Sequence, residues 1–525
     1  MLNDDSRTKN SVKNVSFSLI CQFIILICSF ISRTVFIRVL GSSYLGVNGL
    51  FTNILSVLSI VDLGFDTAII FSMYKPIAEN DTRKLSVLMN FYKRVYLILG
   101  TFIGIIGIAL IPFLKYLVNL STPIDNITLY YLLYLLDTVL TYFLANRVAI
   151  ITADQKMYVI KKYTSVFKII QTILQIIVLL IFKNFLLYLI IQIACTFATN
   201  LYGAIKAKKM YPFLNNTIEQ LDKEEKKSIF TNVKSMFIYK FGGIILNNTD
   251  NILISVITTT EMVGYYGNYT MIINAVTNFV TLIFSSLTAS IGNLNTESNI
   301  EKKEDVLKKV DFLANWVYGF CSICLFVLLN EFIYLMWGSE YVLNILIPLA
   351  AVINFEIVGM LHPLRLYRET TGVFREIKYI FLWTAGLNLV FSIFLGNLFT
   401  TPELKLFGII IATAIARILT NAWFEPKKIF NSVFKKSVFQ YFKKKLKEIV
   451  LLLLTGGIVF YINTLIVEKT WITFILRCLI CFLVINIIYI IVYHRTNEFK
   501  YYYNLVKNVI IKFKNMLKKS IRRTN

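Results

Sequence analysis

Apolar runs of about 20 residues recur from one end of this chain to the other. A helix rising 1.5 Å per residue needs that length to cross about 30 Å of hydrocarbon. Fourteen such helices are expected, over roughly 16–40, 44–74, 86–115, 127–150, 163–182, 185–205, 229–257, 261–292, 310–335, 343–366, 379–396, 405–424, 447–467 and 471–493. The joints at 183–184 and 468–470 are very short. No segment carries the ten-residue alternation of an outer-membrane barrel. Only 16% of the 525 residues are charged, where soluble domains carry about 25%, so a water-soluble fold of this size is excluded. The first run is too long for the core of a signal peptide and has no small-residue cleavage site behind it, so it is read as a membrane helix.

The net charge of +24 invites a nucleic-acid reading, but topology accounts for it. With both termini inside, inner loops and tails hold about 39 of the 54 Lys and Arg, and outer loops about four, Lys115, Lys183, Lys405 and Lys469. That asymmetry is the positive-inside rule, and it supports an even helix count. No nucleic-acid partner is expected. Four of the seven cysteines form the spacings Cys321/Cys324 and Cys478/Cys481 inside apolar runs, where they read as small packing residues. With only His362 and His494 present, a His-rich metal site is excluded, and neither metal nor cofactor is expected.

A faint internal duplication organises the chain. An offset of 218 residues lays Tyr44–Leu55 over Met262–Ile273 and matches Gly46 with Gly264, Gly49 with Gly267, Thr52 with Thr270 and Ile54 with Ile272. The same offset pairs Glu79 with Glu297, and Arg147 with Arg365 at the inner ends of helices 4 and 10. Those two arginines are candidate cytoplasmic gate residues. Six helices separate the copies, so the halves share orientation and are related by an axis along the membrane normal. The expected fold is an all-α polytopic membrane protein with two parallel six-helix bundles around a central cavity and two C-terminal helices. The divisions are 1–210, a linker 211–228, a second bundle 229–425, a basic amphipathic segment 426–446, helices 13 and 14 over 447–493, and a basic tail 494–525. In the amphipathic segment Phe430, Phe434, Val438, Phe442 and Leu446 recur at i+4 beside lysines. The tail repeats this with Leu505, Val509, Phe513, Leu517 and Ile521. Both read as interfacial helices on an anionic inner leaflet.

Charges deep in a membrane helix cost about 2.5–3.5 kcal/mol each on insertion scales, so they mark functional candidates. Helix 1 aligns Ser18, Gln22, Ser29 and Arg33 on one stripe, and helix 7 aligns Lys240, Asn247 and Asn251. Helix 8 continues with Asn274, Asn278, Thr281, Ser285 and Thr288. Helix 2 carries Asp62 and Asp66, while helices 4 and 10 each carry one deep acid, Asp137 and Glu356, at nearly repeat-equivalent positions. Polar stripes also serve helix packing, and the acids can pair with neighbouring cations. Read as a cavity lining, Arg33 and Lys240 suit a pyrophosphate by charge-assisted hydrogen bonds. Gln22, Asn247, Asn251, Asn274, Asn278 and Tyr266 suit sugar hydroxyls and faces. Asp62, Asp66, Asp137 and Glu356 are candidates for exchanging H⁺ or Na⁺. No outer loop exceeds roughly a dozen residues and no GxxxxGK[ST] motif appears, which argues against an extracytoplasmic catalytic subdomain and direct ATP use.

The stretch RTVFIRVLGSSYLGVNGLFTNILS at 33–56, followed by Asp62-Leu63-Gly64 and Tyr74-Lys75-Pro76, resembles the Wzx-type polysaccharide flippases of the multidrug/oligosaccharidyl-lipid/polysaccharide exporter superfamily. The resemblance implies a non-enzymatic carrier in a bacterial cytoplasmic membrane with both termini inside. Its cargo would be undecaprenyl-diphosphate-linked repeat units for capsule or exopolysaccharide, moved by alternating access and passed to polymerase machinery. An ion-coupled drug or cation antiporter of the same superfamily is the rival, and it would want an acidic or aromatic cavity. A membrane-embedded polymerase or ligase and an assembly scaffold are the readings from other classes.

Overall fold

Inside a bilayer no water is present to bond the backbone, so each apolar run must close its own N–H···O=C ladder. The computed structural model describes residues 4–62, 65–215, 221–285, 287–288, 291–292, 294, 299–371, 373–508 and 511. Among them it holds helices and no strand. The long helices are α1 (Asp4–Leu58), α2 (Phe65–Glu79), α3 (Thr82–Ala109), α4 (Ile127–Ala145), α5 (Met157–Phe182), α6 (Phe185–Met210), α7 (Lys223–Ile257) and α8 (Thr260–Ser285). The second half adds α9 (Ile300–Trp337), α10 (Leu346–Thr371), α11 (Phe374–Leu398), α12 (Pro402–Leu419), α13 (Phe439–Thr464) and α14 (Trp471–Tyr493). Among the described residues, ten helices are long and apolar enough to cross a membrane. The shorter apolar stretches Ile127–Phe143 and Phe241–Ile257 join them.

Local chemistry sets the boundaries. The apolar part of α1, Ile20–Leu58, has 39 residues, about 58 Å if straight and thus about twice a hydrocarbon core. Gly41 divides it, with φ 79° and ψ −172°, a conformation glycine reaches without Cβ strain. The expected first helix and the start of the second therefore form one bent element. The second helix is broken again by a 3-10 turn at Ser59–Asp62 before α2. At the two-residue joint after α5, Lys183 takes a left-handed conformation and Asn184 Oδ1 accepts from Leu187 N at 3.1 Å, capping α6. A reciprocal Thr470–Thr473 capping box starts α14.

Two compact units emerge, and their limits differ from the expected 1–210 and 229–425 division. The first comprises 1–268 with 378–416, the second 269–377 with 417–525. The reason lies in α7, which packs on α1 and α2 and is in turn met by α11 and α12. A Cβ on Gly242 of α7 would press on the Phe381 backbone of α11, and Thr413 of α12 donates to Asp250 Oδ2 of α7 at 3.1 Å. In the second unit α9 packs against α10, α13 and α14. Ile323, Val327, Val459, Cys481, Ile485 and Tyr489 form a buried core there. Cys481 lies in this core and Cys324 packs against it, and all four cysteines of the two CxxC spacings are free thiols.

The basic segment at 426–446 is not a separate interfacial helix. Asn421–Ile429 is helical, Phe430–Phe434 forms a π-turn, Lys435 is left-handed, and α13 begins at Phe439. Phe430 and Phe434 are buried in protein, while Phe439 and Leu446 are exposed. The tail likewise folds back, stacking Tyr502 on Phe312 and Phe499 on Trp316 of α9. Val509, Phe513, Leu517 and Ile521 lie outside the described residues.

The 218-residue offset has a direct structural counterpart. Gly46 of α1 and Gly264 of α8 pack against each other: a Cβ on Gly264 would lie 2.9 Å from Gly46 N, and one on Gly46 would strike the Thr260 carbonyl. Ser43 Oγ donates to Glu261 Oε1 at 3.2 Å, and these two residues are also 218 apart. Equivalent residues that touch each other lie on a local two-fold, as in an isologous interface. Small residues permit that approach of backbones. Gly46→Leu or Gly264→Leu is expected to lower stability by at least ~1–3 kcal/mol through overpacking. Gly386→Ala, whose Cβ would meet nothing within 4 Å, should be neutral; thermal unfolding in detergent with size-exclusion profiles compares the three.

Candidate cargo and ion-binding site

Arg33 sits on α1 two turns before Gly41, half-buried, and reaches across to α8. Its Nε donates to Asn268 Oδ1 at 2.5 Å and its Nη2 to the Gly264 carbonyl at 3.1 Å. Gly267 leaves the room for this, since a Cβ there would fall 2.8 Å from Nη2. Two of five guanidinium donors thus fix the side chain and three remain for other acceptors. The stripe on α1 is less uniform than its spacing suggests: Ser29 Oγ bonds back to the Ile25 carbonyl at 2.8 Å, and Gln22 is half-buried. The side chains of Lys240, Asn247 and Ser18 lie outside the described residues. Asn251 and Tyr266 are both half-buried in the first unit.

Three of the four candidate acids converge in the first unit. Asp62 ends the 3-10 turn, Asp66 opens α2, and Asp137 lies in α4; all three line one cavity of about 550 Å³. Breaking helix 2 at Ser59–Asp62 is what aims both α2-side acids into this space. Tyr92 OH of α3 donates to Asp66 Oδ1 at 2.7 Å, and Gln192 of α6 donates to Asp137 Oδ2 at 3.0 Å. Asp137 Oδ1 is sealed from solvent without a hydrogen-bond donor. A neighbouring cavity of about 460 Å³ includes Gln192, Tyr134 and Asn248, and it shares Ser59, Asp137 and Thr138 with the first. Among the described residues lining either space there is no Lys or Arg. Arg147, in the 3-10 turn after α4, is half-buried beside but not within these linings.

In the second unit Asn274, Asn278, Thr281 and Ser285 are all exposed along one face of α8. An exposed amide and hydroxyl stripe on an apolar helix suits a water-filled space rather than lipid. Glu356 of α10 is buried and accepts from Ser322 Oγ of α9 at 2.5 Å. Asp137 and Glu356 therefore share a feature within their own units, an acid held by neutral side-chain donors of an adjacent helix. Arg365 is exposed and pairs with Glu369 at 2.8 Å along its own helix.

Two polar clusters escape sequence reasoning. Asn388 of α11 donates to Thr413 Oγ1 of α12 at 2.8 Å, and Thr413 bonds Asp250 of α7; the signal was the i, i+4 pair Asn388 and Ser392, both fully buried in an apolar run. The other is ionic. Lys445 of α13 is buried between Asp311 Oδ1 at 2.7 Å and Glu448 Oε2 at 2.8 Å, and Lys444 meets Asp311 Oδ2 at 2.8 Å. Lys444 read from sequence as a flank of an interfacial helix, and neither Lys445 nor Asp311 was singled out.

A family model described as "Polysaccharide biosynthesis protein" matches residues 11–288, more than half of the chain. Among curated proteins none matches the sequence. Among solved structures the chain is similar to a lipid II flippase MurJ in an inward closed conformation, at 14% identity and a TM-score of 0.60, covering 91% of this chain and 99% of that one. It is also similar to a mutant of the Vibrio cholerae MATE transporter VcmN, at 15% identity and a TM-score of 0.57, covering 82% and 100%. An inward-facing multidrug resistance MATE transporter of the MOP superfamily gives 13% identity and 0.55, covering 77% and 96%. At these identities the likeness is one of fold.

Lys445→Met removes the cation facing Asp311 and Glu448. Breaking one side of a buried ionic cluster is expected to cost ~3–5 kcal/mol. Chemical unfolding of the purified protein checks this, and Lys436→Met, on an exposed lysine paired with Glu304, should change it by no more than ~1 kcal/mol.

Proposed function

We propose that this chain, which belongs to the polysaccharide biosynthesis protein family, is a flippase for undecaprenyl-diphosphate-linked oligosaccharide repeat units. It carries them from the inner to the outer leaflet of a bacterial cytoplasmic membrane, with both its termini inside. The observation that supports the reading most is the family match over residues 11–288, on a fold similar to that of a lipid II flippase. The product serves surface polysaccharide such as capsule or exopolysaccharide, with polymerase machinery as the downstream partner and anionic lipids around the basic inner loops. No covalent chemistry is asked of the chain.

In this mechanism the polyprenyl tail stays in lipid while Arg33 and Lys240 receive the pyrophosphate. The free donors of a positioned guanidinium suit diphosphate oxygens, because charge-assisted bonds are about twice as strong as neutral ones. Gln22, Asn247, Asn251, Asn274, Asn278 and Tyr266 contact the glycan. Alternating access exposes the headgroup outside, with Arg147 and Arg365 gating the inner face. Reset is driven by H⁺ or Na⁺ exchanging at Asp62, Asp66, Asp137 or Glu356.

One observation favours a second reading, an ion-coupled antiporter for organic cations: the first unit's cavity is lined by three carboxylates and several tyrosines without Lys or Arg among its described residues. Cargo charge separates the two. In proteoliposomes loaded with a fluorescent diphosphate-linked glycan, Arg33→Ala should slow translocation about 10- to 100-fold, matching the ~1.5–3 kcal/mol of a bond to a charged group, and Lys240→Ala should act in the same direction. Full transport by both variants, or efflux of organic cations with no glycan movement by the wild type, sinks the flippase.

A further inference from the structure

Glu356 is the candidate acid whose surroundings identify the ion it exchanges. It lines a cavity of about 660 Å³ in the second unit, walled by α9, α10 and α13. Leu349, Val352, Ile353, Leu452 and Leu453 give that wall its apolar character. Its polar side chains are Ser322, Glu356, Tyr441 and Lys445, beside the Trp423 indole. Three of these are engaged elsewhere. Trp423 N–H donates to the Leu419 carbonyl, Tyr441 OH to the Met360 carbonyl, and Lys445 to Asp311 and Glu448. A hard metal cation takes several oxygen ligands, whereas the side chains here offer one carboxylate and the hydroxyls of Ser322 and Tyr441. A proton needs a single oxygen.

The charged groups that face Glu356 cancel among themselves. Lys445 and Glu448 act on it from α13. Lys444 and Lys445 each pair with both Asp311 and Glu448, at 2.7–3.5 Å, two cations against two acids. The other titratable neighbours, Tyr318 and Cys321 of α9, Tyr441 of α13 and Tyr489 of α14, are of types that are neutral near pH 7. An ionised Glu356 is therefore a surplus charge in an apolar wall, held by the neutral Ser322 hydroxyl at 2.5 Å. That is the costly state inside a bilayer, and a proton removes the cost. A route to water is also built. Tyr318 stands one turn before Ser322 on the same face of α9. Its hydroxyl meets His362 Nδ1 of α10 at 2.9 Å, with Thr281 of the exposed α8 stripe beside it. Gly359 of α10 permits this ladder, since a Cβ there would fall 2.2 Å from the Tyr318 ring.

We infer that Glu356 is the chain's proton-exchanging group: it takes H⁺ rather than Na⁺, Ser322 positions it, and Thr281, Tyr318 and His362 form its route to water. The proton passes from water to the carboxylate, which becomes a neutral carboxyl, and returns to water on the opposite side when access alternates. This narrows the exchange to one acid and one ion. The inference rests on the flippase reading for what the cycle carries, while proton binding at Glu356 is its own claim.

Infrared difference spectra of the full chain in phosphatidylcholine vesicles, taken between about pH 5 and about pH 9, read the carboxylic C=O stretch directly. One component of that band should titrate, vanish in Glu356→Gln, and stay unchanged when choline chloride is exchanged for sodium chloride at equal ionic strength. Ser322→Ala removes a donor to the charged form, so it should raise the pH midpoint of that component by about one pH unit or more. A role for Ser322 in packing alone would leave the midpoint in place. A band identical in wild type and Glu356→Gln, a component constant across the pH range, or one displaced by sodium each overturns the proposal. Proteoliposomes with lipid-linked glycan score the coupling: a pH gradient without Na⁺ should speed translocation about tenfold or more, and Glu356→Gln should lose that gain. Acceleration retained in Glu356→Gln, or produced by a Na⁺ gradient alone, also overturns it. A titrating Glu356 without glycan movement upholds the proton site and sinks the flippase, and glycan movement with a silent Glu356 does the reverse.

Discussion

The close crossing of α1 and α8 is the contact from which the functional geometry of the first unit follows. Two backbones meet where Gly46 and Gly264 leave no Cβ between them, and Ser43 and Glu261 bond across the same seam. The loop before α4 locks this arrangement: Asn119 Nδ2 donates to the Thr258 carbonyl at 2.5 Å, and Ser121 N to Glu261 Oε1 at 3.0 Å. With α8 held at that distance, Arg33 can span to the Gly264 carbonyl and Asn268. A larger residue at either glycine would part the helices, and the guanidinium would lose the partners that aim it. Dispersion and close approach carry this crossing because lipid provides no hydrophobic drive between helices.

Helix content was legible because the bilayer imposes one length and one hydrogen-bonding solution on every apolar run. The repeat was legible at Gly46/Gly264 because a site on a local two-fold places the same steric demand on both copies. Other features were hidden for definite reasons. The break of helix 2 at Ser59–Asp62 has no proline within it, and Gly64 just beyond it stands in an apolar run whose length alone reads as one continuous helix. The unit boundary was missed because hydropathy reports crossings and says nothing about which crossings pack together, so α7, α11 and α12 joined the N-terminal helices unannounced.

Lysine was the most misleading residue type. Lys444 and Lys445 repeat the amphipathic pattern of a surface helix, yet Lys445 is buried and bonded to Asp311 and Glu448. Periodicity records which side of a helix is polar. It cannot tell a polar side facing lipid headgroups from one facing a buried acid on another helix, because both satisfy the charge. Asp311 alone, on the α9 face opposite, decides between them. Arg33 was the opposite case: its depth in α1 singled it out, but its bond across to α8 depends on Asn268, a residue 235 positions away.

Burying charge in a membrane protein is tolerated when the charge is paired, and informative when it is not. Lys445 and Arg368, with Glu425 at 2.7 Å, belong to the first kind; each is answered by acids within reach and adds cohesion to the second unit. The first unit answers two of its cavity acids differently: Tyr92 OH bonds Asp66 and Gln192 bonds Asp137. Neutral donors of this kind hold a carboxylate in place without cancelling its charge, whereas the lysines beside Asp311 cancel it and close the site.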